Sequence, residues 1–161
     1  MLPTASFERV EMPPYPPVIP QEPLLRVGDV MSRPPVTRSP RTSVYEAYHL
    51  MQQQQIRHLP ILHNGQLVGI VSDRDLRLVL PSPATSLAVQ EIRYLLDKLT
   101  VGEVMTRDVM TTLPGHLIMD AVGRMLQSRL SALPVMDDRI IVGILTRTDV
   151  LRTFYRWCAA C

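Results

Sequence analysis

The stretch Val27-Gly28-Asp29-Val30-Met31 returns 74 residues later as Val101-Gly102-Glu103-Val104-Met105. Held without a gap, that register aligns residues 27–78 with 101–152. It gives 16 identities in 52 positions, among them Thr37/Thr111, Leu59-Pro60/Leu133-Pro134 and Val68-Gly69-Ile70/Val142-Gly143-Ile144. A duplicated supersecondary unit buries against its copy the face that it cannot bury alone. Two copies, not many, predict a closed pair about a pseudo-twofold axis rather than a solenoid.

Within each copy the pattern reads strand, helix, strand, strand, helix. Val36 and Thr37 predict a short first strand, and Pro40-Arg41-Thr42-Ser43 turns the chain into a helix. Ser43 and Glu46 have the spacing of a capping box, in which each side chain satisfies the other's free backbone N–H. Val44, Ala47, Tyr48 and Met51 then follow at the spacing of one buried helix face, with Ile118, Ala121, Val122 and Met125 as their twins. Two apolar bursts come next, 58–62 and 67–71, joined by the turn residues His63-Asn64-Gly65-Gln66, which predicts a hairpin. In the second copy the bursts are 132–136 and 140–145, joined through Asp137-Asp138-Arg139. The last helix starts at Ser72 or Thr146. Met31, Met51, Met105, Met110, Met119, Met125 and Met136 recur on apolar faces and are read as adaptable core filling.

These units set the expected organisation: a proline-rich arm over 1–26, repeat 1 over 27–80, a linker over 81–100, repeat 2 over 101–155 and a tail over 156–161. Seven prolines in the arm exclude helix and favour extended chain. In the linker, Pro81-Ser82-Pro83 breaks the chain, and Ile92, Leu95, Leu96 and Leu99 predict an amphipathic helix over roughly 86–99, packed on the domain or on a partner. The tail ends in Cys158-Ala159-Ala160-Cys161, formally a redox pair, half a metal site or a prenylation box. With no polybasic stretch before it and no further ligands, a frayed, reduced tail is the reading adopted.

With 17 basic and 15 acidic residues the formal net charge is only +2, which makes no electrostatic case for nucleic acid. No run approaches the roughly 18–20 apolar residues that span a bilayer, and the N-terminus lacks a charged segment followed by an apolar one. A soluble, cytoplasmic protein is therefore expected. His49, His58, His63 and His116 lack metal-ligand spacing, and no serine or cysteine sits in a nucleophile motif, so neither a metal site nor a catalytic set is expected.

Two units of this order, each opening on Val-Gly-(Asp/Glu)-Val-Met, each with Leu-Pro before the second strand and each closing on Gly-Ile-(Val/Leu)-(Ser/Thr)-x-x-Asp, resemble the CBS domain. The tandem pair resembles a Bateman module. The linker from Pro81 to Leu99 is similar to that of small stand-alone bacterial proteins of the acetoin-utilisation B type. The resemblance implies an α+β fold of two β-α-β-β-α repeats whose packed sheets leave two clefts. It also implies an adenosine-containing ligand there (AMP, ADP, ATP, S-adenosylmethionine or a dinucleotide), a homodimeric disc and a regulated partner.

The residues suit such a ligand. A helix N-terminus offers free N–H groups and the positive end of its dipole to phosphate, and a nearby carboxylate accepts ribose hydroxyls. Ser72 with Asp75, and Thr146 with Asp149, stand at such helix starts. They are equally plain helix caps, and the two roles are compatible. By the family's architecture the Asp75 cleft gathers Arg57, His58 and Ser72 with Leu130 and Ala132 of the other repeat. The Asp149 cleft gathers Thr146 and Arg147 with Ile56 and His58. Val36/Thr37 and Met110/Thr111 line the walls. The Asp75 cleft is slightly favoured for a phosphorylated ligand, although an inward Asp73 would repel phosphate and His58 stands where adenine needs room. A ligand-free dimerisation module, in which the same motifs are only caps, is the alternative; an enzyme has no residue to support it.

Overall fold

The computed structural model describes residues 25–80 and 88–159. The arm up to residue 24, the Pro81-Ser82-Pro83 break and Cys161 lie outside these. Each repeat is built on one antiparallel hairpin. In the first, β1 (His58–His63) pairs with β2 (Gln66–Ser72); in the second, β3 (Ala132–Asp137) pairs with β4 (Ile140–Thr146). Asn64 and Gly65 take left-handed φ of 51° and 79°, the two-residue turn their types favour. Both hairpins shift register at one equivalent place, between Ile61 and Leu62 and between Val135 and Met136.

The predicted first strand is not formed at Val36 and Thr37. It is reduced to one parallel bridge, Arg38 to Ile61, matched by Thr112 to Val135 in the second repeat. Arg38 N–H donates to the Pro60 carbonyl at 3.2 Å and its own carbonyl accepts from Leu62 N–H at 2.8 Å, after which Pro40 bends the chain away. The following helices, α2 (Val44–Gln54) and α6 (Ile118–Gln127), bury the expected face through Val44, Ala47, Met51, Ala121 and Met125. Only half of the first capping box forms. Ser43 accepts from the Glu46 N–H, but the Glu46 carboxylate turns to Arg38 at 3.4 Å. Met119 is 71% exposed, so it is not core.

The opening motif of each repeat is exchanged. The short helices α1 (Val27–Val30) and α5 (Val101–Val104) each pack into the other repeat. Val27 N–H donates to the His116 carbonyl and Gly28 N–H to that of Pro114. In the mirror arrangement Val101 donates to Thr42 and Gly102 to Pro40, all four at 2.9 Å. Val27 and Met31 thus complete the core of Met125, Leu133, Val135 and Leu145, while Val101 and Met105 complete that of Met51, Leu59, Ile61 and Val71. Just beyond, Ser32 adds an antiparallel bridge to Ile144 of β4, and Thr106 to Ile70 of β2.

The last helices, α3 (Asp73–Val79) and α7 (Arg147–Ala159), start where predicted. The linker helix is shorter than expected: α4 (Val89–Lys98) lays Leu96 into the first core with Ile92 and Leu99 against it, and leaves Val89, Tyr94 and Leu95 exposed. No helix among the described residues is long and apolar enough to cross a membrane.

The exchange requires backbone without side chains opposite the methionines. A Cβ built at Gly69 would stand 2.9 Å from Met105 Cγ and 3.0 Å from the Thr106 carbonyl; at Gly143 it would stand 3.0 Å from Met31 Cγ and 3.1 Å from the Ser32 carbonyl. Gly69→Ala and Gly143→Ala should each lower unfolding stability by about 1–3 kcal/mol through overpacking. In contrast, Gly123→Ala inside α6, where a Cβ meets nothing within 4 Å, should raise it by about 0.5–1 kcal/mol. Urea unfolding of the three variants checks both signs.

Candidate functional site

The order hydrophobic strand, hydroxyl residue, two residues, aspartate builds a helix start. Ser72 closes β2 and caps α3. Its backbone N–H and hydroxyl donate to Asp75 Oδ2 at 2.8 and 2.6 Å, and its Oγ accepts from Asp75 N–H at 3.3 Å. Thr146 and Asp149 repeat the box on α7, at 2.8, 2.5 and 3.2 Å. The cap reading therefore holds at both motifs. It takes the hydroxyls of Ser72 and Thr146 as donors to carboxylate, the protons that a bound anion would otherwise use.

The two helix starts lie on either side of one cavity of about 710 Å³ at the junction of the repeats. Of the predicted site residues, Val36, Arg57, His58, Ser72, Thr146, Arg147 and Asp149 line it, with Ile56 opposite as expected for the Asp149 cleft. Thr37, Asp75, Ala132, Met110 and Thr111 do not. Ala132 is buried as the first residue of β3, and Thr37, Met110 and Thr111 sit half-buried beside the bridges that replace the predicted strand. The cavity takes Arg57, His58 and Ser72 from the favoured Asp75 side together with Thr146, Arg147 and Asp149 from the other. Arg74 and Thr148 of the two helix-start motifs line it with Ser131, and residues not singled out from the sequence, Ser32, Pro34 and Arg152, complete it. Ser32 arrives through the exchange, which a reading of each repeat by itself does not contain.

Charge in the cavity favours anions. Arg57, Arg74, Arg147 and Arg152 line it, and among the described residues none of them lies within 4 Å of a carboxylate; Arg147 Nε donates to the Leu130 carbonyl at 3.3 Å. Asp73, the expected repulsion, does line the cavity, and it pairs with Arg77 at 3.0 Å. Asp149 is 7% exposed, and beyond the box its Oδ1 accepts from Ser32 Oγ at 2.8 Å.

His58 joins the repeats. Its Nε2 lies 2.7 Å from Ser131 Oγ, a hydrogen bond across the junction. Burial lowers its pKa below the ordinary 6.5, and Arg147 and Arg57 push the same way, against Asp73 and Asp75, which raise it.

Comparison with known proteins places this architecture. The family model described as "CBS domain" matches residues 27–82 and again 101–156. The chain belongs to the CBS domain family. As a CBS pair it is 32% identical over 136 residues to L-aspartate semialdehyde sulfurtransferase of Methanocaldococcus jannaschii, covering 83% of this chain but only 24% of that enzyme. Among solved structures, the CBS pair of protein MJ0100 with 5′-methylthioadenosine and S-adenosylmethionine superposes with TM-score 0.69 at 32% identity, over 83% of this chain and 98% of that one. AcuB of Vibrio cholerae, assigned to acetoin utilization, gives 0.71 at 29% identity over 86% and 98% of the two chains. CBSX2 in complex with AMP gives 0.64 at 32% over 81% and 96%.

The His58 environment predicts a pH dependence of the CBS pair's stability. Folded His58 releases its proton at a lower pH than in the unfolded chain, so just below pH 6.5 the unfolded state binds more protons. Stability is therefore full above that value and falls as pH drops through the window down to the folded pKa. His58→Gln should flatten this fall, read from urea midpoints between pH 8 and pH 5.

Proposed function

We propose that this chain is a non-enzymatic regulatory module that binds an adenosine-containing ligand in the cavity at Thr146–Asp149 and transmits its occupancy to a partner. The observation that carries the proposal is one cavity between the repeats lined by two helix starts and four arginines. Backbone N–H groups and helix dipoles there favour phosphate. Asp149 supplies the acceptor for ribose, and Arg57, Arg74, Arg147 and Arg152 supply the charge. Related CBS pairs hold AMP in one case and S-adenosylmethionine with 5′-methylthioadenosine in another, which supports an adenosine ligand and leaves the group beyond the ribose to be assigned. The excess of arginine over free carboxylate favours AMP, ADP or ATP. The chain covers a quarter of the sulfurtransferase, and we assign it none of that enzyme's chemistry.

Association of two modules would carry the signal. Met119 and Leu126 on α6, and Leu151, Phe154, Tyr155 and Trp157 on α7, are all exposed apolar side chains. These exposed side chains equally support the second reading, a ligand-free dimerisation module, which requires only that they be covered.

Titration calorimetry with AMP, ADP, ATP, S-adenosylmethionine, NAD and cyclic dinucleotides separates the two. Saturable binding is expected, weakened about tenfold or more by Asp149→Asn, since hydrogen bonds to a charged group are among the stronger ones. The double variant Arg57→Gln with Arg147→Gln should weaken ATP more than adenosine, and added salt should do the same. Silence across the panel from a folded sample would overturn the binding reading and leave the dimerisation module.

A further inference from the structure

The two aspartates differ in a way that their matching motifs conceal. An ionised carboxylate has about four lone-pair positions. On Asp149 three are taken: Thr146 N–H and Oγ1–H on Oδ2, and Ser32 Oγ–H on Oδ1. On Asp75 the Ser72 N–H and hydroxyl take two on Oδ2, and among the described residues Thr106, the counterpart of Ser32, makes no such bond. A ribose presents two adjacent hydroxyl donors. Asp75 can accept both; Asp149 cannot without giving up a bond.

The bond that yields is identifiable. Thr146 and Asp149 hold each other within one helix cap, so breaking that contact unravels the start of α7. Ser32 is different. Its backbone is pinned to β4 by two hydrogen bonds to Ile144, at 2.9 and 3.0 Å, but its exposed side chain reaches Asp149 through χ1 alone. Both Ser32 and Asp149 line the cavity, so the hydroxyl stands where a ligand's would come.

Building on the adenosine reading above, we infer that Ser32 is a built-in competitor: its hydroxyl occupies the Asp149 oxygen that a ribose needs, and ligand binds there by displacing it. Ser32 sets the affinity of this cleft for vicinal diols and leaves adenine and phosphate recognition alone. Because Ser32 follows directly on the exchanged α1 segment, its displacement also makes ligand occupancy register at the contact between the repeats.

The test is the affinity of AMP and of 2′,3′-dideoxyadenosine monophosphate for the wild-type chain and for Ser32→Ala, Ser32→Thr and Ser32→Ala with Asp149→Asn, by calorimetry. Ser32→Ala should bind AMP roughly three- to tenfold tighter, the range of one modest hydrogen bond. The dideoxy compound should be unmoved, Ser32→Thr should stay near wild type, and the double variant should lose the gain. Equal or weaker AMP binding by Ser32→Ala, with AMP still bound by the wild type, overturns the competitor and leaves the site standing. Where another nucleotide of the panel binds in place of AMP, it and its 2′,3′-dideoxy form carry the same comparison, and silence across the panel overturns both.

Discussion

The reciprocal seating of Val27 and Met31 in one repeat, and of Val101 and Met105 in the other, is the contact on which the rest depends. Both valines are completely buried and both methionines nearly so. Burying a side chain of this size is worth roughly 1.5–3 kcal/mol, a large part of the margin by which a small domain stays folded. Neither half completes its core from its own residues. Gly69 and Gly143 are the other side of the same constraint, since the methionine sulfurs lie where a Cβ would be. Exchange therefore ties the two halves into one cooperative unit and sets how β2 and β4 face each other.

That placement creates the cavity. A pseudo-twofold pair brings like ends together, so the starts of α3 and α7, both electropositive, converge instead of cancelling. Such convergence costs energy unless anions answer it. The caps supply part of the answer through Asp75 and Asp149, and Asp73 another part while held by Arg77. Four arginines in the lining remain without a carboxylate within 4 Å among the described residues. His58, uncharged above its lowered pKa, can bridge to Ser131 in their midst without adding another buried charge.

Much of this was legible in the sequence because it is local. The Asn64-Gly65 turn, the Ser43 cap, the helix stripe through Val44, Ala47 and Met51 and the Ser72/Asp75 spacing each depend on neighbours within a few residues. The duplication itself gave the pairing of the repeats, and the resemblance added the clefts between them. The exchange was not legible from the motif itself: Val-Gly-x-Val-Met is nearly the same in both copies, so packing into its own repeat or into the other satisfies the same pattern. The missing strand at Val36 and Thr37 follows from tertiary pairing limited to one bridge beside two prolines, and Met119 was misplaced because helical spacing does not fix which side of a short helix faces out. Ser32 escaped for the reason the exchange did. A signal was present, a hydroxyl at both Ser32 and Thr106, but only the fold puts one of them against a carboxylate.

The duplication thus makes symmetric parts with unequal duties. Gene-level identity is kept where the two cores must interlock, at Val27/Val101, Met31/Met105 and Gly69/Gly143. It is lost around the cavity, where Arg57-His58 faces Ser131-Ala132 and Asp73-Arg74 faces Arg147-Thr148. Interlocking penalises divergence in either copy, because each motif must fit the other's glycine. The cavity rim carries no such penalty, since its residues touch across the axis through side chains that need only be complementary, as His58 and Ser131 are. α7 extends the inequality outward: it starts with Asp149 at the cavity and ends with the exposed Phe154, Tyr155 and Trp157, whereas its twin α3 stops after seven residues. One helix joins Asp149, which accepts three hydrogen bonds among the described residues, to the exposed aromatic side chains at its other end. Displacing Ser32 from Asp149 would act at the start of α7, whereas α3, with Asp75 near its start, ends after seven residues.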